Sequence, residues 1–340
     1  MGRLMVAWLL GVAVPAAAPG ELGLQRYEFS QVEMAVPIKI VLYGKDTETA
    51  SRESSAALAR IHALNTIMSD YDPESELCRL CRTAGEGKPV RVSEDLWKVL
   101  VHAQKQAAQS DGAFDVTVGP LVHLWRRARR RKELPDSEQL AAARALVGYR
   151  LLRLDTAGHT VELLKAGMQL DLGGIAKGYA VDEALAVLRK AGITRALVDA
   201  GGDLGLGDPP PGQAGWHIGL TPLDGTKPSQ YLVLSRVAVS TSGDNVQFVE
   251  LGGRRYSHVV DPHTGMALTD HCRVTVVAPN GMVADAITKA VGVLGPQRGI
   301  QLIENTPDAA ALILRAPEGK VQRYQSSRWK DLPMLPAGSP

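Results

Sequence analysis

Between Arg255 and Gly265 the chain reads Arg-Tyr-Ser-His-Val-Val-Asp-Pro-His-Thr-Gly, which sets hydroxyls, an imidazole and a carboxylate close together. Extended backbone alternates its side chains, so Tyr256, His258 and Val260 share one face of a strand. Pro262 drives Asp261 into an extended conformation and forbids a helix there, and Gly265 completes a turn. A histidine at a strand end, with an aspartate at the mouth of a tight loop, suits a general base beside a ligand. The same letters also describe a buried strand and a polar turn, and one His near one Asp does not decide between them.

Three other stretches carry chemistry. In Met168-Gln169-Leu170-Asp171-Leu172-Gly173-Gly174-Ile175-Ala176-Lys177-Gly178-Tyr179 a strand end meets a double glycine and then a helix. Backbone N–H groups at such a helix start suit phosphate, and Lys177 adds a cation. The spacing is neither that of a Walker loop nor that of a dinucleotide fingerprint. In Asp111-Gly112-Ala113-Phe114-Asp115-Val116-Thr117-Val118-Gly119-Pro120, two glycines permit close backbone approach to a ligand. On a helix from Val283, the apolar face is Val283, Ile287, Val291 and Leu294, with Asp285, Thr288 and Lys289 opposite. An aspartate with a threonine one turn later can bind a hard cation through oxygen. The plain alternative is an exposed Asp285–Lys289 pair worth about half a kcal/mol.

The elements that position these groups follow from periodicity and punctuation. A strand is expected over 37–43. A helix over 47–69 has Leu58, Ile61, Leu64 and Met68 on one face, and a short polar helix carries Cys78 and Cys81. Ser93 caps a helix running to about Ser110. Further helices are expected through 121–125 into the basic run and over 137–146, followed by strands at 151–155 and 160–164. The glycine-led helix runs through Leu188 and is followed by a strand at 195–200 feeding Gly201-Gly202-Asp203. Short strands at 216–220, 231–234 and 237–240 lead to a hairpin of 246–251 turning at Gly252-Gly253. A β-branched strand at 273–278 precedes the Asp285 helix, and 310–314 is read as the last strand. The chain from 328 to 340, rich in Pro and Ser, is expected to be disordered.

A chain of 340 residues with 45% hydrophobic and 22% charged content is that of a soluble globular protein. A net charge of +2 says little about partners, while 5% aromatic content argues against stacking platforms for single-stranded nucleic acid, and no nucleic-acid partner is expected. The one basic run, Arg126-Arg127-Ala128-Arg129-Arg130-Arg131-Lys132, reads as a solvated helix end. Residues 1–18 pair Arg3 with an apolar run and Ala16-Ala17-Ala18, the pattern of a cleaved export signal too short to anchor in a bilayer. No second apolar span follows. Cys78-x-x-Cys81 lacks a second ligand pair for zinc and reads as incidental thiols, or thiols oxidised to each other.

In order along the chain come Tyr71 with Ser75-Glu76-Leu77, Asp111-Gly112-Ala113-Phe114-Asp115 and Asp171 to Tyr179. Gly201-Gly202-Asp203, Ser242-Gly243-Asp244, Tyr256 to Pro262 and Ala284-Asp285-Ala286 continue the series. Each is weak alone, but the ordered set resembles the FAD:protein FMN transferases, the family often called ApbE, over roughly residues 30–325. The resemblance implies an α+β fold, one globular domain (25–327) of mixed and antiparallel sheets with packed helices. It implies an enzyme that binds FAD and Mg²⁺ and joins FMN, through its phosphate, to a Thr or Ser hydroxyl of an acceptor flavoprotein, releasing AMP. Two alternatives are an FAD pyrophosphatase giving FMN and AMP, and a non-catalytic FAD-binding protein. Export to the periplasm agrees with the family's habit.

By the same resemblance, His258 is the general base, suited because imidazole titrates near neutrality. Met34, Tyr71, Ala113, Phe114, Asp115, Asp171, Lys177 and Val259 match cofactor-contacting positions. Asp285, Thr288 and a carbonyl near Gly174 match the metal site. One departure stands out: the family's helix reads Asp-x-x-x-Thr, whereas Lys289 lies four after Asp285. A lysine there either repels the metal or supplies part of its charge.

Overall fold

The computed structural model describes residues 23–228, 230–243 and 248–336. The expected export signal, Asp244 and the first residues of the 246–251 strand lie outside them.

Strands β1 (Gln25–Glu33) and β2 (Val36–Gly44) form an antiparallel hairpin, and helix α1 (Thr47–Met68) follows. Asp46 caps α1, its carboxylate accepting from Thr49 N at 2.7 Å. The predicted face of Leu58, Ile61, Leu64 and Met68 is buried. Next come α2 (Glu76–Arg82), β3 (Val90–Arg91), α3 (Glu94–Gln109), α4 (Gly119–Arg131), α5 (Ser137–Arg144), β4 (Leu152–Asp155) and β5 (Thr160–Leu163). Ser93 caps α3 as its position predicts, accepting from Leu96 N at 3.3 Å.

The second half is built on α6 (Ala176–Lys190), β6 (Ala196–Ala200), β7 (Asp203–Leu206), β8 (Trp216–Gly219), β9 (Gln230–Leu234) and β10 (Ala238–Gly243). It continues through β11 (Phe248–Leu251), β12 (Arg254–Ser257), β13 (Cys272–Ala278), α7 (Gly281–Glu304), β14 (Ala310–Arg315), β15 (Gln322–Gln325) and β16 (Met334–Pro336). Eight strands form one sheet in the order β1-β2-β6-β7-β10-β13-β14-β15, with every neighbouring pair antiparallel.

Alternation along these strands sorts the core into two layers. Ile38, Ile40, Leu42, Val198 and Val276 pack with α1, α6 and α7. Val41, Leu197, Val239, Val277 and Leu312 face the other way, toward Trp216, Leu232 and Trp329. There the three-stranded sheet β16-β9-β8 closes the second layer. This is the expected α+β domain.

Two expectations need correction. Strand β14 is not the last. The chain after 327 is ordered through 336: Trp329 is fully buried, and Met334–Pro336 pairs with β9. A single tryptophan outweighs the local Pro and Ser content because it fills the second layer. Cys78, Cys81 and Cys272 are free thiols. Burial pushes the Cys81 thiol up to about 11, and its sulfur accepts from Leu170 N at 3.2 Å, so it serves as packing.

Helices α6 and α7 meet backbone to backbone. A Cβ on Gly178 would lie 2.1 Å from Gly281 O, and one on Gly281 would lie 2.3 Å from Gly178 O. Alanine at position 178 should gain up to about 1 kcal/mol of helix propensity yet lose more by prising the helices apart. The Gly178→Ala variant is expected to be net destabilised by about 1–3 kcal/mol in urea unfolding. An unchanged or raised midpoint would show that the crossing yields freely.

Candidate functional site

The centre of the site is a carboxylate reached by two lysines. Asp285 is fully buried on α7. Its Oδ2 accepts from Gly178 N at 3.2 Å and lies 3.6 Å from Lys177 Nζ. Its Oδ1 accepts from Lys289 Nζ, one turn further along α7. Lys177 Nζ also donates to Asp203, which accepts from Ser240 Oγ as well. Burial pushes the Asp285 carboxyl up, but the charges of Lys177 and Lys289 overcome it and hold the group below its usual range. Lys177 is the mirror case: burial would lower it, and Asp203 and Asp285 instead hold it above the ordinary lysine range. The Asp285–Lys289 pair, exposed on the plain alternative, is instead part-buried, with Asp285 fully buried. The face of α7 opposite its apolar stripe is not solvated, because it packs on α6.

Gly174 and Thr288 converge on the same centre through Lys289. Thr288 Oγ1 donates to Asp285 O at 2.7 Å and accepts from Lys289 Nζ at 3.1 Å. The Lys289 stem crosses to the double-glycine turn, where a Cβ on Gly174 would lie 3.3 Å from both Lys289 Cγ and Phe114 Cε2. Phe114 and Ala113 are both buried. Asp115 is committed elsewhere, its Oδ1 accepting from Thr117 N at 2.8 Å and Thr117 Oγ1 at 2.7 Å. Burial raises its carboxyl despite those bonds. It caps the turn that follows Phe114 in the chain.

A second cluster forms the rim. Tyr71 is 72% exposed, with the Arg126 guanidinium 4.4 Å above its ring. Arg126 Nη2 donates to Asp171 Oδ2 at 2.9 Å, and Nη1 reaches Asp70. Asp171 Oδ1 accepts from Gly173 N at 2.8 Å, so the carboxylate shapes the turn that opens α6. Burial and the neighbouring Asp70 charge hold the Asp171 carboxyl up, against the pull of Arg126. Arg126 was not singled out in the sequence, where the surrounding arginines hide it. It flanks the buried stripe of Leu121, Leu124, Trp125 and Ala128 and turns inward, while Arg127, Arg130 and Arg131 stay exposed. Asp203, the acid on Lys177, was legible only as part of a permissive turn.

The third part is the segment after β12. This strand ends at Ser257, so the strand face expected to carry Tyr256, His258 and Val260 stops one residue short of the histidine. Half-buried His258 sits between two pinned neighbours. Ser257 N donates to Leu268 O at 2.7 Å, and Val259 O accepts from Leu268 N at 2.9 Å. Tyr256 and Val260 pack with Leu121 and Trp125. Asp261 holds its own turn, accepting from His263 N and Thr264 Oγ1, each at 2.9 Å. His263 Nε2 donates to Asp111 O at 2.7 Å, which ties this loop to the Asp111-Gly112 turn. Ser257 and Val259 line a crevice with Ser242, Gly243, Cys272 and Thr288, which joins the histidine segment to the lysine centre.

Met34 borders the far end. It and Ala35 form the β1–β2 turn with φ of 50° and 60°, a left-handed pair without glycine. The Val36 side chain lies 3.0 Å from where a Gly201 Cβ would be, so this hairpin tip abuts the turn leading to Asp203.

Known proteins resemble this chain over most of its length. The ApbE family model matches residues 34–313. The FAD:protein FMN transferase of Treponema pallidum is 33% identical over 94% of this chain and 96% of its own length. That of Haemophilus influenzae is 32% identical over 85% and 86%. Among solved structures, the flavin transferase ApbE from Vibrio cholerae superposes with a TM-score of 0.81 at 29% identity, covering 91% of this chain and all of its own. With the match running through every segment that builds the lysine centre, the rim and the histidine loop, this chain belongs to the ApbE family.

Proposed function

We propose that this protein is an FAD:protein FMN transferase. The observation that carries the reading is convergence: Tyr71, Gly174, Lys177, Val259, Asp285 and their partners come from separate segments and meet around the first turn of α6. An exposed tyrosine ring at the rim offers a stacking face for the isoalloxazine. The ammonium groups of Lys177 and Lys289 lie at the start of a helix, where a diphosphate is favoured. His258 takes the proton from a Thr or Ser hydroxyl of the acceptor as its oxygen attacks the FMN-side phosphorus. The new P–O bond replaces the bond from that phosphorus to the bridging oxygen of the diphosphate, and AMP leaves carrying that oxygen.

Magnesium does not fit the donor set. Both oxygens of the single central carboxylate face lysine ammonium groups, and the Thr288 proton is given to Asp285 O. A hard cation wants several anionic or neutral oxygens and no competing charge.

Residues 1–18 are read as an export signal that delivers the enzyme to the periplasm; among the described residues no helix is long and apolar enough to cross a membrane. Incubation with FAD and a flavin-acceptor peptide tests the reaction. Covalent flavin fluorescence on the peptide with release of AMP is expected. FMN and AMP with an unlabelled peptide would assign a pyrophosphatase, and intact bound FAD would assign a carrier.

A further inference from the structure

We infer that Lys289 is a built-in cation for the dinucleotide's diphosphate, so that FAD binding by this chain does not depend on a divalent metal. The inference rests on the flavin-transferase reading and names how that site meets the phosphate charge.

Three contacts fix the ammonium. Its stem lies against Gly174, where no Cβ obstructs it, and its nitrogen reaches both Asp285 Oδ1 and Thr288 Oγ1. The side chain therefore spans the three positions that the family resemblance gave to a metal. A cation entering between them would have to displace the lysine and be coordinated beside Lys177, whose Nζ is 3.6 Å from the other oxygen of Asp285.

The lysines are less buried than the acids they pair with. Asp285 is fully buried and Asp203 is 4% exposed, whereas the side chains of Lys289 and Lys177 keep 17% and 20% exposure. The lysine side chains are thus the more accessible part of this centre, and the carboxylates they pair with lie beneath them. Three donors on a compact ammonium let each lysine keep its carboxylate and still offer an N–H to phosphate. A tethered ammonium brings one charge where a divalent ion brings two. It is, however, already in place and incurs no ion-binding step.

The test is FAD titration by calorimetry on the full chain, in excess EDTA and in excess MgCl₂, with thermal melts confirming that each variant is folded. For the wild type the two dissociation constants should agree within about twofold, a difference below half a kcal/mol. Lys289→Met should weaken binding about tenfold or more in both buffers. Lys289→Thr, which restores the family's spacing, should bind weakly in EDTA and regain about tenfold with MgCl₂. A wild type that loses about tenfold in EDTA and recovers it with MgCl₂ overturns the inference while leaving the flavin reading intact. No binding in either buffer overturns both.

Discussion

FMN transfer by the His258→Ala variant is expected to run about 10²–10⁴-fold slower than by the wild type, with FAD affinity within about twofold. The range is that of a positioned general base removed from a step that must deprotonate a hydroxyl. The segment is held rigidly enough for such a role. Backbone bonds from Leu268 grip the residues on either side of the histidine, and Tyr256 and Val260 anchor the flanks in a buried cluster. Alanine leaves those anchors in place, so the loss falls on chemistry rather than binding. Single-turnover labelling of an acceptor peptide, paired with FAD titration, separates the two. Transfer within about tenfold of the wild type would remove His258 from the base role.

Legibility in the sequence followed the range over which each residue's environment is set. Helix α1 could be read from its own apolar period, and α3 from Ser93, because those signals lie within one turn of the residues they govern. The first layer of the sheet was legible at β2, β6 and β13 as β-branched and aliphatic runs. Strand β7 was not, since Asp203-Leu204-Gly205-Leu206 has a charged first residue whose partner, Lys177, lies on another element. The tail failed for the same reason: Trp329 is informative only once the second layer exists to receive it.

In the site, glycines and the Asp285 helix were visible as motifs, yet their electrostatic state was not. Periodicity placed Asp285 and Lys289 on one face. Only the Gly178–Gly281 approach, which brings α6 onto that face, turns an ordinary surface pair into a desolvated one. Arg126 is the converse case, one residue of a basic run drawn inward by two acids distant in sequence.

Replacing Asp285 with asparagine should remove about 3–5 kcal/mol from the unfolding free energy at neutral pH, the usual loss when one partner of a buried charge network goes. Asparagine keeps the side-chain volume, so no cavity contributes. What changes is that Lys177 and Lys289 lose the charge that offsets their desolvation. The sign of the pH dependence follows from the depressed Asp285 carboxyl. Above the unfolded-chain value of about 4, the folded state holds fewer protons than it would without the lysines, and the stabilisation is fully present. It is lost as pH falls through the lower folded value, so the gap between wild type and variant should narrow in acid. Adding Lys289→Met to Asp285→Asn should recover part of the loss at neutral pH, because one stranded ammonium is then gone. Urea unfolding across pH measures all three. A neutral-pH loss below about 1 kcal/mol, with no narrowing in acid, would mean that both lysines regain water without cost and that the carboxylate does not hold the centre together.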